Sequence, residues 1–388
     1  PTTYGFPGYK DYFPKKNSLI VDRQLDAGGI MIGKTNTAEL GVGAHTANRL
    51  FGITPNIYGN SKSSGGSSGG ASVAVAADLL PFADGTDMMG SCRTPAAFAN
   101  VYGFRPTPGI IPDYRADNKK KNLPIISTPG CLARNPDDMS ILLDAIVGKH
   151  KSDPMSSNLS GSFKETNIKD QNLLNIKIGW LSDMNGAYQY EDEIIDICNK
   201  KLNSLEKNKI KVENLNPKID VLKLWDCWTT IRAKSIYEDI IDMNIDDINE
   251  MTPQAIWEYK KGIKIKGDDI QFALNSRIEL LSDLNKVFNN YDFLALPSQQ
   301  TFPFDKNLKY PDKINKFETD TYHRWIEVHI LASLFYLPSI SVPIGFNKDG
   351  FPIGIQIIGK QGEDLKLFAF AKKYEEMFEY NKMKPLLK

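Results

Sequence analysis

Two serines set among glycines, and one lysine upstream of them, are the residues whose types and spacing could carry chemistry in this chain. Ser67 stands in Gly65-Gly66-Ser67-Ser68-Gly69-Gly70, and Ser91 follows Gly90 in a turn that leads to Pro95. Glycines around Ser67 open backbone dihedrals closed to other residues and allow close approach of another group. A serine at a turn ahead of a helix lies near exposed backbone N–H groups, which can stabilise an oxyanion during acyl transfer. An N-cap serine is the plainer reading of Ser91, and on local sequence alone the commoner one. The Gly-rich loop also suits phosphate, but no Gly-Lys follows it as a P-loop requires. Lys34 closes the apolar run Ile30-Met31-Ile32. Lost hydration there would disfavour its charged form and make it a general base. Taken alone, a lysine snorkelling from a strand end is the more frequent case.

Those three residues need a scaffold, and the composition supplies an ordinary soluble one. The chain has 388 residues, 41% hydrophobic and 24% charged, enough for a sizeable core without disulfides or metal. Lys+Arg and Asp+Glu both number 47, so the basic excess of many nucleic-acid binders is missing. The one compact basic run, Lys119-Lys120-Lys121, reads as a solvated loop. Cys92, Cys131, Cys198 and Cys227 have no metal-ligand spacing, and His45, His150, His323 and His329 form no HExxH pair, so neither zinc nor another metal is expected. Few cysteines in a long chain fit a reducing cytoplasm. No apolar run reaches membrane-spanning length.

The periodicity alternates between strand and helix. Residues 19–27 read as a short amphipathic helix stopped by Gly28-Gly29, residues 30–32 as a buried strand, and residues 37–42 as the start of a helix. Residues 69–80 form a small-residue helix, residues 81–83 are too short to classify, and Pro95 opens a helix to residue 102. Asn135 then Pro136 reads as N-cap and N1 of a helix over 137–147. Residues 150–172 are polar, a surface connection. Strands follow at 176–181, 210–215, 293–296, 339–343 and 353–358, and helices at 191–205, 322–335 and 363–378. Residues 219–288 are mainly helical, with breaks near Pro253 and Gly262. This alternation predicts an α/β layered fold with helices on both faces of a sheet.

The segment from residue 65 to 95 resembles the signature of the amidase signature family. Gly66-Ser67-Ser68-Gly69-Gly70, Gly85-Thr86-Asp87, Gly90-Ser91 and Arg93-x-Pro95 fall in the family's order, and the two serines stand twenty-four residues apart, as they do there. Gly33-Lys34-Thr35-Asn36 looks like the family's lysine motif. Further likeness lies in Ser127-Thr128-Pro129-Gly130, in Ala133-Arg134-Asn135, in residues 337–345 and in Gly354-Ile355-Gln356-Ile357-Ile358-Gly359, so it extends over nearly the whole chain.

The resemblance implies one three-layer α/β/α domain over residues 1–388, built on a mixed, twisted sheet. It implies an amidase that hydrolyses a small-molecule carboxylic amide to acid and ammonia or amine, with no cofactor, nucleic-acid or membrane partner. Ser91 becomes the nucleophile that forms the acyl-enzyme. Ser67, after a cis Gly66–Ser67 peptide, becomes the bridging serine, and neutral Lys34 the base acting through it. The backbone N–H groups of Met88, Met89, Gly90 and Ser91 would form the oxyanion hole, with Gly66 and Ser68 near the substrate. Asp87 and Arg93 would pin the turn by hydrogen bonds and an ion pair. In the family a largely helical segment precedes the stretch matching Pro1-Thr2-Thr3, which makes this chain look truncated at its N-terminus.

Two residues depart from the family pattern. Met89 stands where a small residue, usually Gly, is normal, and Cys92 where an aliphatic one is. Methionine at a position requiring φ > 0 would be strained, and it would place a long side chain where substrate enters. Cys92 reads as a small buried hydrophobe rather than a rival nucleophile. Met89 therefore keeps a catalytically impaired binding homologue as an alternative, beside a glutaminase subunit of the amidotransferase type. Esterase and aryl-acylamidase outcomes on the same site also stay open. The aromatic residues at 225–228 and 322–325 are candidate pocket walls, with plain core the more frequent fate of such residues.

Overall fold

The computed structural model describes residues 1–112, 126–169, 171, 173 and 175–385. The run Lys119-Lys120-Lys121 lies outside them.

Strand-forming runs of β-branched and aromatic residues assemble into one eight-stranded sheet: β1 (Phe82–Asp87), β2 (Tyr102–Arg105), β3 (Thr128–Ala133), β4 (Lys177–Trp180), β5 (Lys211–Asn214), β6 (Phe293–Pro297), β7 (Ser339–Phe346) and β8 (Pro352–Ile358). Their spatial order is β1-β3-β2-β7-β8-β6-β4-β5. The β6–β4 and β4–β5 pairs are parallel and the others antiparallel, so the sheet is mixed. Side chains alternate across it, as the two-residue strand period requires. On β6, Phe293 and Ala295 enter one apolar cluster while Leu294 and Leu296 enter another. The first cluster is closed by α4 (Pro136–Ile146), α5 (Ile194–Leu205) and α10 (Asp364–Phe378). The second is closed by α6 (Val221–Asp242), α8 (Gly267–Phe288) and α9 (Ile330–Leu334). The predicted helix–sheet–helix layering is therefore present.

Several local expectations hold, among them the short helix α1 (Leu19–Asp26) and the small-residue helix α2 (Gly69–Ala76). Asn135 caps α4 by accepting the Asp138 N–H at 2.8 Å, with Pro136 at N1. The helical stretch after residue 219 divides into α6, α7 (Pro253–Gly262) and α8 at the expected breaks. The described residues of 150–169 hold no helix or strand, yet Phe163 is fully buried between Phe104 and Phe368.

Others are corrected. Residues 30–32 are no buried strand: Ile30 is 88% and Ile32 71% exposed. A strand is stabilised by pairing, and among the described residues no pairing takes in residues 28–37. Glu39–Gly41 is one 3-10 turn with Leu40 at φ +55°, rather than a helix start. The helix of Pro95 is α3 (Arg93–Ala99), ended by Asn100 in the left-handed region, and β2 begins two residues later. Residues 324–329 are 3-10 turns kinked at Ile326, and only Ile330–Leu334 is α-helical.

Candidate active site

The edge strand β1 ends at Asp87, and the chain then turns through Met88, Met89, Gly90 and Ser91 into α3. The Asp87 carboxylate shapes this turn. It accepts the backbone N–H of Gly90 at 2.9 Å and of Cys92 at 3.2 Å. It also takes a two-point grip from Arg93, Nη2 at 2.8 Å and Nε at 3.0 Å. Arg105 donates to the Asp87 carbonyl, with a guanidinium nitrogen 3.6 Å from the carboxylate. All three side chains are fully buried. Burial alone would raise the Asp87 carboxyl; Arg93 and Arg105 outweigh it and hold it well below the carboxylate range. The turn is thus pinned by an ion pair and hydrogen bonds, as the resemblance implies.

The left-handed backbone sits one residue beyond the expected position. Gly90, at φ +85°, occupies that region, and Met89 does not. Met89 is buried at 3% exposure, its sulfur accepting the Trp228 Nε1–H at 3.3 Å. The methionine therefore packs into the core under α6. Gly90 is also sterically required, because a Cβ there would stand 2.2 Å from His329 Cδ2.

Counting donors corrects the four-donor oxyanion hole. The Gly90 N–H is consumed by Asp87. Among the described residues, the N–H groups of Met88, Met89 and Ser91 meet no protein acceptor. Three unpaired donors therefore cluster at the turn that carries the Ser91 hydroxyl.

Ser67 lies alongside. The Gly66–Ser67 peptide is cis, and the next residue, Ser68, donates its N–H to the Ser91 carbonyl at 3.2 Å. The Ser67 carbonyl accepts Thr37 Oγ1 at 3.0 Å, Thr46 Oγ1 at 3.2 Å and the Ala38 N–H at 3.3 Å. The backbone next to Ser67 is thus held against Ser91, whereas the Lys34 side chain is bonded elsewhere. Its Nζ donates to the Pro1 carbonyl at 3.3 Å and to Thr2 Oγ1, on an exposed stretch. The cause is the unpaired segment around residues 30–35, which leaves the lysine in water. Thr37, three residues on, is nevertheless tied to Ser67, and three extended residues span about 10 Å.

The two residues expected near the substrate are tightly packed. A Cβ on Gly66 would meet the His45 backbone nitrogen at 2.6 Å, so this glycine serves close backbone packing. Ser68 is buried, and its hydroxyl and the Cys92 thiol both border the space a Cβ on Gly85 would take. Cys92 is fully buried, which pushes its thiol well above the ordinary range and leaves no reactive thiolate.

Sequence reasoning missed His329 and Arg232 beside the turn, and it read Trp228 only as a candidate pocket wall. His329 lies against Gly90, with Nε2 2.8 Å from Thr94 Oγ1. Burial, with Arg93 close by, pushes its imidazole down to about 3, so the ring is neutral. Trp228 and Arg232 on α6 reach Met89 and Met88, the latter at 3.0 Å. The two aromatic groups expected as pocket walls meet, with the rings of Trp225 and His323 5.1 Å apart.

The chain is similar to known proteins along nearly its whole length. A sequence model of the family described as Amidase matches residues 1–368. An acylamidase of Rhodococcus erythropolis is 28% identical over 99% of this chain and 80% of its own length. A glutamyl-tRNA(Gln) amidotransferase chain of Treponema denticola is 27% identical over 94% of this chain and 79% of its own. Among solved structures, a bacterial aryl acylamidase of the amidase signature enzymes superposes with a TM-score of 0.88 at 25% identity, covering 98% of this chain and 80% of that one. The 6-aminohexanoate cyclic dimer hydrolase shares the fold with a TM-score of 0.85 at 23% identity, over 99% and 83% of the two chains.

Proposed function

The chain belongs to the amidase family, whose members hydrolyse carbon–nitrogen amide bonds, and from that premise we propose that Ser91 is the nucleophile of an acyl-enzyme mechanism. The observation that carries this reading is the turn itself: Asp87 fixes it, and three unpaired backbone N–H groups stand beside the Ser91 hydroxyl. Ser91 Oγ attacks the amide carbonyl and its proton passes to Ser67 Oγ, whose proton moves to the Lys34 amine. The N–H groups of Met88, Met89 and Ser91 receive the oxyanion. Collapse breaks the C–N bond, and the proton held by Lys34 returns through Ser67 to the leaving amine. Water then attacks the acyl ester by the same relay in reverse, releasing the acid.

Lys34 takes up this role when its side chain leaves Pro1 and Thr2 and turns toward Ser67. Its three-residue tether to Thr37 keeps it within reach. The acylamidase and aryl acylamidase relatives support N-acyl amides, aryl amides included, as the substrate class. The impaired-homologue alternative loses its support, since Met89 is neither strained nor in the open. We read the whole chain as one domain. The four free, buried cysteines support a reducing, cytoplasmic setting, and no helix of the described residues is long and apolar enough to cross a membrane.

Labelling with a serine-reactive fluorophosphonate tests the assignment: Ser91→Ala abolishes it, and undiminished labelling contradicts it. Likeness to the Treponema denticola amidotransferase chain favours a second reading, a glutaminase that feeds ammonia to a partner. Glutaminase activity that appears only with a co-purified partner would establish that reading instead.

A further inference from the structure

The oxyanion turn is held from two sides, and only one of them belongs to the signature. Asp87 grips Gly90 and Cys92 from the sheet side. Met88 and Met89 lie between Asp87 and that grip, and among the described residues neither makes a backbone–backbone hydrogen bond. Their sulfurs do the tethering. Met89 Sδ accepts the Trp228 indole N–H at 3.3 Å, and Met88 Sδ accepts an Arg232 guanidinium N–H at 3.0 Å. Trp228 and Arg232 are one helical turn apart on α6, so they present one face to the two methionines.

That face is itself immobilised. Arg232 Nε donates to Glu258 on α7 at 2.8 Å, and Arg232 Nη2 reaches the Tyr322 hydroxyl at 2.8 Å. The Tyr322 hydroxyl closes the ring by donating to the same Glu258 oxygen at 2.6 Å. Glu258 is 1% exposed and Trp228 fully buried, so the anchors are in rigid surroundings. A buried guanidinium with three acceptors of fixed geometry has little freedom to release any of them.

We propose that Trp228 and Arg232 are positioning residues that fix the Met88 and Met89 backbone N–H groups through a paired thioether clamp. The clamp takes over the restraint a tight glycine-rich turn would otherwise need, which accounts for two methionines at the centre of the oxyanion loop. It acts on the transition state rather than on substrate affinity, since a misplaced donor weakens the bond to the developing oxyanion most. The inference rests on the reading of Ser91 as nucleophile.

The test is a double-mutant cycle on Trp228→Phe, which loses the pyrrole ring together with its N–H, and Met89→Leu, which is close in volume to the original. Three quantities are read: the rate of fluorophosphonate labelling of Ser91, kcat and KM for 4-nitroacetanilide, and the thermal midpoint. Trp228→Phe removes the indole N–H and keeps the phenyl bulk, so labelling rate and kcat fall about fivefold, the scale of one modest hydrogen bond, with KM within about twofold. The double variant is no slower than the slower single one, because both changes break the same contact. The Trp228 indole N–H resonance, read by NMR without turnover, shifts in M89L. Wild-type protein that fails to label at Ser91 overturns the nucleophile assignment. Wild type that labels while W228F labels as fast, losses that multiply in the double variant, or an indole resonance unmoved in M89L overturn the clamp alone.

Discussion

His329 fills the space that a side chain on Gly90 would need: a Cβ there would stand 2.2 Å from the ring. The glycine also sits at φ +85°, so sterics and backbone conformation demand it together. Gly90→Ala should therefore destabilise the protein by about 2–4 kcal/mol and lower turnover far more than stability, because the turn carrying Ser91 must shift. Denaturant unfolding with parallel activity measurements checks this. An alanine variant of wild-type stability and rate would contradict the geometry of the turn.

The Asp87–Arg93 pair is buried and shares its carboxylate with two backbone donors. Asp87→Ala leaves two guanidiniums, Arg93 and Arg105, without their counter-charge and should cost about 3–5 kcal/mol. Equilibrium unfolding reads the loss.

Lys34 separates a surface role from a chemical one. Its contacts are the Pro1 carbonyl and Thr2 Oγ1 on an exposed stretch, so Lys34→Ala should change stability by less than about 0.5 kcal/mol. As the base of the relay, it should cost about a thousandfold in kcat. A variant equally stable and equally active would show that the lysine stays where the structure has it.

Buried titratable groups set a defined acid response. Burial pushes His323 well below the ordinary range and His329 down to about 3. Unfolded histidines titrate near ~6.5, so this contribution is fully present above that pH and lost as pH falls toward about 3. Burial raises Glu327 to about 7 and Asp364 to about 6. Their contribution is fully present below the ordinary carboxyl values and lost as pH rises through those raised ones. Between about pH 4.5 and 6 the two pairs oppose each other, and stability should change little. Below about pH 4 the histidines act alone among these four, and stability should fall by about 1.4 kcal/mol per unit for each. Glu327→Gln removes one opposing group, so its stability should decline on acidification from pH 7 more steeply than wild type. Chemical denaturation from pH 3 to 7 measures both slopes, and parallel profiles would contradict the assignment.

Cys92 directly follows Ser91 yet is fully buried, and burial pushes its thiol well above the ordinary range. Iodoacetamide should leave it unmodified in the native protein and modify it after denaturation. Peptide mapping gives the answer, and rapid native labelling would contradict the burial.

What the sequence revealed, and what it hid, follows from the range of each interaction. The Asn135 cap of α4, the breaks near Pro253 and Gly262, and the role of Asp87 and Arg93 were legible because each depends on residues a few positions apart. Residues 30–32 carry an apolar run that says strand, but burial of a strand depends on a neighbour elsewhere in the chain. Met89 in a tight turn suggests strain, because some residue of that turn needs φ > 0; the adjacent Gly90 meets the need. The Trp228 and Arg232 contacts join residues about 140 positions away, and no local pattern encodes them. His329 was invisible for the same reason.

In the proposed mechanism Ser91 carries the acyl group. Acid-quenching the enzyme during steady-state hydrolysis of 4-nitrophenyl acetate, followed by peptide mapping, tests it most directly. An acetyl adduct is expected on the peptide containing Ser91 and is absent from the Ser91→Ala variant. An adduct on Ser67, on Cys92 or on no residue while turnover proceeds would contradict it.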